Sequence, residues 1–166
     1  MNTQTQTERS TSTGEIEFST FRVGGLLMGI DIRYVQEINR IHDITPVPYA
    51  PENVRGVINL RGEVVTVIDL RTTLQMAPAQ SSHRNHIVIV NIQEESIGLL
   101  VDKIADVVIT TAAEIEPPPA NVSGVDSKYL SGVCKLKSEL LVILNVKETF
   151  ATEAKKAAHE TQTAHA

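Results

Sequence analysis

The sequence has few aromatic residues, almost no cysteine and an excess of acidic charge, and each shortage excludes a class of protein. Among 166 residues, aromatics make up 4%, tryptophan is absent and the net charge is −5. Nucleic-acid binding needs a basic surface, and binding of unpaired bases needs aromatic rings, so we expect no nucleic-acid partner. The single cysteine, Cys134, excludes both a disulfide framework and a cysteine-based zinc site.

The sequence also lacks the signals of a membrane or secreted protein. No segment reaches the roughly 18 consecutive apolar residues of a membrane-spanning helix. The first residues, MNTQTQ, contain neither the basic nor the apolar region of a secretory signal, and Asn2 in place of glycine excludes myristoylation. We therefore expect a cytoplasmic protein without direct membrane insertion.

Catalytic and metal-binding motifs are missing as well. No nucleophile elbow, Walker sequence or dinucleotide fingerprint occurs. Cys134 lies in an apolar run, and we interpret it as a small buried hydrophobic residue, with a nucleophile as the alternative. The histidines lack the spacing of metal ligands; they are His42, His83, His86, His159 and His165. The sequence predicts no enzyme, no metal and no cofactor.

Aliphatic β-branched residues make up most of the apolar content. The chain contains 18 valines and 16 isoleucines, which favour strands over helices. Most apolar runs last five to eight residues and are separated by turn residues, a pattern typical of small barrels. Residues 1–14 are rich in Thr, Gln and Ser, so we expect a disordered tail there, and 151–166 are expected to hold a helix end and a tail.

Three segments of the first half recur in the second half in the same order. They match at offsets of 69, 71 and 76 residues: 29–38 with 98–107, 44–48 with 115–119, and 56–65 with 132–141. We interpret them as two copies of one β unit. The interpretation predicts a first barrel at about 15–75, a connector at 76–85 and a second barrel at about 86–150. The barrels would share an apolar interface, and strand exchange between them is possible.

Two polar or exposed features suggest a protein contact. Arg61 lies at the tip of a predicted hairpin, where arginine often serves protein recognition; an ordinary solvated turn is the alternative. Residues 34–38 follow a strand and could make a short helical turn with Val35 and Ile38 on one side. Core packing is the interpretation we favour for these two residues.

Seven segments of the chain closely resemble the CheW family of chemotaxis coupling proteins: 29–32, 35–38, 44–48, 54–62, 67–71, 98–102 and 129–133. The resemblance extends over roughly residues 16–150. It implies a single mainly β domain at 15–150, with two five-stranded SH3-like barrels packed on a shared apolar interface, short helices and a C-terminal helix.

The resemblance also implies a non-enzymatic adaptor. Such a protein would couple the tips of methyl-accepting chemoreceptors to the regulatory domain of the histidine kinase CheA, in arrays at the inner membrane. Two alternatives are a CheW-like adaptor of a non-flagellar pathway and a small β-barrel module that binds a ligand or nucleic acid.

The resemblance assigns two sets of site residues. The receptor-binding set is Val35, Glu37, Gly56, Arg61, Ile87, Gly98 and Val107. The kinase-binding set is Ile38, Arg40, Ile44 and Asn121. Many relatives carry an aromatic side chain near Asn121, where this chain has asparagine. We also predict an ion pair between Arg61 and Glu37.

Overall fold

The computed structural model describes residues 14–40, 43–77 and 86–150, which are almost entirely strands joined by short turns. The described residues form fourteen strands: β1 (Glu15–Val23), β2 (Leu26–Asp31), β3 (Val35–Arg40), β4 (Val54–Leu60), β5 (Glu63–Asp69), β6 (His86–Ile92), β7 (Glu95–Val101), β8 (Lys103–Ile104), β9 (Val108–Thr111), β10 (Ile115–Glu116), β11 (Asn121–Val122), β12 (Val125–Asp126), β13 (Leu130–Lys135) and β14 (Leu140–Leu144).

Helical structure within the described residues is limited to short segments. Helix α1 spans Leu70–Thr73, and residues 146–150 are also helical. The 3₁₀ turns are Ile32–Tyr34, Ala112–Glu114 and Ser127–Tyr129. The prediction of a mainly β chain with short helices is confirmed. The two predicted tails and most of the predicted connector lie outside the described residues.

The strands form two main sheets that each draw on both halves of the chain. Sheet A has the order β10-β13-β14-β2-β1-β8, with β9 also paired to β1, and sheet B has the order β3-β6-β7-β5-β4. Strand β14 runs parallel to β2, and β5 runs parallel to β7. Each parallel pairing places a hairpin from one half beside strands of the other half. Neither sheet is therefore built from a continuous stretch such as 15–75 or 86–150.

The predicted internal duplication is confirmed by the strand registers. Adding 69 to each residue number of the hairpin β1–β2 gives the register of the hairpin β6–β7. Adding 76 to each residue number of β4–β5 gives the register of β13–β14, and both of these hairpins have a bulge at the same place. The corresponding pairs are Thr20–Gly29 with Ile89–Gly98, Gly56–Val67 with Gly132–Ile143, and the parallel pairs Thr66–Ile97 with Val142–Met28.

Three apolar cores are buried by these sheets. The shared core lies between them, and its members come from both; examples are Phe21, Met28, Val88, Leu99 and Phe150. The sheet B core consists of Ile58, Val65, Val67, Ile87, Ile89 and Leu100. The sheet A core consists of Phe18, Leu27, Cys134, Leu141 and Ile143. The predicted apolar interface between the two units is therefore present.

The hydrogen-bonded ladders of the described residues are open sheets and not closed barrels. In sheet B, the segment after β3 returns to the opposite edge and makes one isolated bridge, Thr45 with Val57. Its two bonds are Thr45 N–H to Val57 O at 2.9 Å and the reverse bond at 2.8 Å. Pro46 and Pro48 follow directly, and proline has no N–H to donate, so the ladder stops after this bridge.

Gly56 is the residue that permits this bridge. It is buried with φ of 146°, and a Cβ atom there would overlap the Thr45 carbonyl and lie 2.9 Å from Ile44 Cγ2. The equivalent Gly132 has the same neighbours in sheet A, since a Cβ atom there would lie 2.6 Å from Ile115 Cγ2 and 3.0 Å from Glu116 O. A side chain at either position would displace the returning segment.

We expect Gly56→Ala to lower the free energy of unfolding by on the order of 3 kcal/mol, because the new methyl group meets backbone that cannot move without breaking the bridge. Gly25→Ala is the matched control. Gly25 also has positive φ, 83°, but open space around its Cβ position, so it should lose only about 1 kcal/mol. Urea unfolding measures both, and equal losses would contradict the steric explanation.

Candidate functional site

A rigid hairpin turn presents Arg61 to solvent. Arg61 and Gly62 connect β4 to β5, and both have positive φ, 53° and 87°, as a type I′ turn requires. The Asn59 Oδ1 atom accepts a hydrogen bond from the Gly62 N–H at 2.9 Å, which closes the turn. The Arg61 side chain is 78% exposed. The sequence prediction of an arginine at an exposed tip agrees with this geometry.

Glu37 holds the guanidinium of Arg61 in place. Its Oε2 atom lies 2.9 Å from Arg61 Nη2, so the predicted ion pair is confirmed. The Glu37 side chain is only 16% exposed, and its Oε1 atom accepts a hydrogen bond from Asn39 Nδ2 at 2.6 Å. Asn39 was missed by the sequence reasoning. The period of two along β3, which puts Glu37 and Asn39 on one face, could have found it.

Three residues of the predicted receptor-binding set are buried in sheet B. Ile87 belongs to the sheet B core and has no exposed surface. Gly98 lies beside it on β7, where a Cβ atom would approach Ile87 Cγ2 to 2.8 Å. Gly56 is the glycine beneath the Thr45 bridge. These residues shape the sheet below the surface and present no side chain to a partner.

The other two residues of that set lie on different sheets. Val35 begins β3 and packs partly buried against the shared core, so the helical turn suggested for 34–38 is wrong and the 3₁₀ turn ends before it at Tyr34. Val107 lies between β8 and β9 of sheet A and is 54% exposed. The structure thus brings Glu37 and Arg61 into contact, while Val107 offers an exposed apolar side chain on the other sheet.

The predicted kinase-binding residues divide into two groups. Ile38, which is 40% exposed, and the exposed Arg40 both belong to β3, the edge strand of sheet B, and Ile44 packs on the core of the same sheet. Arg40 Nε donates to His86 Nε2 at 3.4 Å. Asn121 lies on the separate ribbon β11–β12, where its Oδ1 atom accepts from the Gly124 N–H at 2.8 Å.

A cavity that the sequence did not predict opens at one end of sheet A, beside the carboxyl ends of the parallel strands β2 and β14. Its volume is about 340 Å³, and it is lined by Ile16, Phe18, Asp31, Arg33, Tyr34, Ile115, Ser131, Ile143, Leu144, Asn145, Val146 and Lys147. Asp31 and Arg33 form an ion pair at its rim, with Arg33 Nη2 2.7 Å from Asp31 Oδ2.

The ionisation of Asp31 is set by two opposing effects. Partial burial raises the pKa of the Asp31 carboxyl, and the hydrogen bonds from the Arg33 guanidinium and backbone N–H lower it more, so the net pKa lies below the ordinary value. The same contacts raise the pKa of the Arg33 guanidinium. The rim of the cavity therefore keeps both charges at neutral pH.

The described residues show no arrangement suited to a metal. Within 14–40, 43–77 and 86–150, no three His, Cys, Asp or Glu side chains converge on a common point. Cys134 is buried in the sheet A core, as we interpreted it, with its Sγ atom 3.5 Å from Thr110 Oγ1. In that same part of the chain, no helix has the length and apolarity to cross a membrane.

Comparison with known proteins shows the family of the chain. The sequence model of the CheW-like domain matches residues 17–154. The chain belongs to the CheW-like domain family. The chemotaxis protein CheW of Treponema pallidum is 32% identical over 143 residues, covering 84% of each chain. CheW of Rhizobium meliloti is 30% identical over 154 residues, covering 93% of this chain and 99% of its own.

A solved structure supports the same assignment. The crystal structure of the scaffolding protein TtCheW from Thermoanaerobacter tengcongensis superposes with a TM-score of 0.74 at 31% identity, covering 81% of this chain and 92% of that one. CheW-family proteins are scaffold and adaptor proteins of chemotaxis, not enzymes, so the chain is a chemotaxis coupling protein of this family. The resemblance noted in the sequence is confirmed.

The ion pair at the cavity rim should make stability depend on pH. A carboxyl whose pKa is lowered in the folded state stabilises that state above the ordinary aspartate pKa of about 3.9. That stabilisation is lost as pH falls through the lower folded pKa. We expect Asp31→Asn, which can still cap the 3₁₀ turn, to be less stable than the parent protein at pH 7 and to approach it as the pH falls below the ordinary aspartate pKa and Asp31 becomes protonated.

Urea midpoints measured from pH 2.5 to pH 7 test this expectation, with the exposed Glu94→Gln as the control. A constant difference between Asp31→Asn and the parent protein over that range would show that the charge of Asp31 contributes nothing to folding.

Proposed function

We propose that this CheW-family protein couples the tips of methyl-accepting chemoreceptors to the histidine kinase CheA in arrays at the inner membrane. The network of Asn39, Glu37 and Arg61 carries the proposal. It fixes an exposed arginine on a rigid turn, and arginine is over-represented in the centres of protein interfaces.

The Arg61 guanidinium suits a polar contact with a receptor. Arginine has five N–H donors in a fixed plane, and the ion pair with Glu37 uses the Nη2 end. The remaining donors face away from Glu37 and can bind carbonyl or carboxylate groups of a partner. Because Glu37 is itself held by Asn39, the guanidinium loses little conformational freedom on binding.

An exposed apolar side chain at the same hairpin suits a helical partner. Val64, beside the turn on β5, is 57% exposed. A receptor tip built from helices would offer apolar side chains to such a surface. We propose that Val35 and Val107 contribute to the same contact, and that Gly56, Ile87 and Gly98 act through the shape of sheet B beneath it.

The kinase contact is proposed for the β3 edge, at Ile38, Arg40 and Ile44. An exposed isoleucine beside an exposed arginine combines an apolar contact with a charged one. Pairing with a CheW-like regulatory domain of CheA would be head-to-tail, and such heterologous contacts close into rings when the rotation allows. Asn121 is proposed as a second kinase contact through its amide group, since its Oδ1 atom is already bonded to Gly124.

We expect Arg61→Ala to reduce receptor pull-down and receptor-dependent CheA activation roughly tenfold, the usual scale for loss of one central arginine contact. Glu37→Ala should act in the same direction and more weakly, because Arg61 is retained without its partner. Since Arg61 is largely exposed, the free energy of unfolding should change by less than about 1 kcal/mol in either variant.

Arg22→Ala is the matched control. Arg22 also forms an ion pair, with Glu139 at 2.7 Å, but it lies on β1 of sheet A outside both proposed contacts. Reconstitution with receptor fragments and CheA should show normal activation for this variant. The proposal fails if Arg61→Ala and Glu37→Ala both activate CheA as the parent protein does, or if the parent protein activates only a kinase of a non-flagellar pathway.

A further inference from the structure

Two carboxylates lie beside one cation at the carboxyl ends of β5 and β7 in sheet B. The Asp102 carboxylate accepts two hydrogen bonds from the Arg71 guanidinium and a third, at 2.8 Å, from the Gly24 N–H. The Asp69 Oδ1 atom accepts from the Arg71 backbone N–H at 3.0 Å. The positive charge of Arg71 is therefore neutralised within the protein.

The copy of this arrangement in sheet A lacks both carboxylates. The matched strand registers place Asn145, Arg33 and Lys147 at the positions of the two acids and of Arg71, in that order. One acid is thus replaced by a neutral amide and the other by a cation, while the third position keeps its positive charge. Within the part of the chain that the structure describes, Lys147 forms no ion pair.

The opening of the cavity in sheet A has a net positive charge and unused hydrogen-bond donors. Arg33, Asn145 and Lys147 all line it, and Asp31 is the one acid among the described residues that do so. The contacts between Arg33 and Asp31 use the Nε and Nη2 atoms of Arg33, so its Nη1 group is left to donate. The Asn145 Oδ1 atom accepts from the Glu148 N–H at 3.1 Å, which leaves its Nδ2 group as a donor.

The floor of the same cavity is apolar. Phe18 and Ile143 belong to the sheet A core, Ile16 and Ile115 pack partly buried against that core, and all four line the cavity. The cavity volume of about 340 Å³ lies within the range of about 300–1,000 Å³ that is typical of small-molecule sites. An apolar floor below a positive opening is complementary to a small molecule that has a hydrocarbon tail and one negative charge.

We propose that this cavity binds a small aliphatic carboxylate, a molecule of the short-chain fatty acid class. The ligand carboxylate lies between Lys147 Nζ and Arg33 Nη1, where it supplies the negative charge that Asp102 supplies in sheet B. The hydrocarbon tail lies on the apolar floor, where its burial stabilises the complex. Binding needs neither a receptor nor CheA, so this site stands apart from the function proposed above.

Titration of the ¹⁵N-labelled full-length chain with hexanoate, at neutral pH and constant ionic strength, tests the site. We expect saturable amide shifts at 31–34, 115–116, 131 and 143–147, with a dissociation constant on the order of 1 mM for a ligand this small. Acetate has the charge without the tail and should not saturate. Hexan-1-ol has the tail without the charge and should bind roughly fivefold more weakly.

The proposal is overturned if either control compound binds as tightly as hexanoate. Equal binding of acetate would show a general anion site, and equal binding of hexan-1-ol would show an apolar site that does not recognise the carboxylate. Saturable hexanoate shifts confined to other parts of the chain would also overturn it.

Asn145→Asp tests the charge of the opening without removing a side chain. The substitution gives sheet A the acid that Asp69 provides in sheet B, and aspartate accepts the Glu148 N–H as asparagine does. The added negative charge repels a carboxylate, so hexanoate binding should be lost while hexan-1-ol binding stays unchanged. The amide spectrum of the variant shows in the same experiment that it is folded.

Lys147→Gln removes one of the two cations and should weaken hexanoate binding roughly threefold to fivefold, the scale of a charge contact at an exposed site. Lys137→Gln is the matched control. It changes the net charge equally, but Lys137 lies in the turn between β13 and β14, at the end of β14 away from the cavity, so hexanoate affinity should not change. Parental affinity in both Asn145→Asp and Lys147→Gln would show that these charges do not bind the carboxylate.

Discussion

Two parallel strand pairings, β5 with β7 and β14 with β2, determine the architecture of this protein. Each places a hairpin from one half of the chain beside strands of the other half, so neither half can complete a sheet alone. The exchange leaves both sheets with an apolar face toward the other, and those faces form the shared core. A half-buried ion pair reinforces the junction: Arg71 of α1 contacts Asp102 after β7, and Asp102 also accepts from the Gly24 N–H in the β1–β2 turn. Separation of the sheets would expose the whole shared core at once, and we expect the two to unfold together.

The two copies of the β unit differ in the charged residues at one end of each sheet. Arg71 and Asp102 have the equivalents Lys147 and Arg33 in the other unit, 76 and 69 positions apart according to the matched strand registers. Two cations cannot form the pair that Arg71 and Asp102 form, and Arg33 turns to Asp31 instead. The cavity opens at this place in sheet A. Equivalent places in the two copies therefore have different structures: the Arg71–Asp102 ion pair closes one, and the cavity opens at the other.

The sequence was informative where the physical signal is local. Glycine and apolar positions that repeat at fixed offsets predicted the duplication, and the turn residues between two apolar runs predicted the exposed Arg61. The ion pair of Arg61 with Glu37 was predicted from the family resemblance. The sequence allowed strand exchange but could not show which strands exchange, because alternation fixes which face of a strand is buried and leaves open which sheet it joins. Resemblance transferred Ile87 and Gly98 as binding residues, although both are buried, because a match to a family motif transfers a position without showing whether that position is exposed. The cavity was missed because its lining comes from segments more than 100 residues apart in sequence.

These features favour a coupling protein that works through fixed geometry. The β4–β5 hairpin that carries Arg61 is anchored through β5 to β7, and β7 contributes Leu99 and Val101 to the shared core. The hairpin is thus linked to sheet A through strand pairing and the shared core, and β6 and β7 pair continuously from His86–Val101 to Ile92–Glu95. A switch would need a second arrangement of the shared core, and a close-packed core tolerates alternative packing poorly. A scaffold needs the opposite property, since partners on the two sheets must keep their spacing while signals pass between them. The buried parallel pairings β5–β7 and β14–β2 supply that rigidity. Surface residues can then change in sequence without disrupting the two sheets.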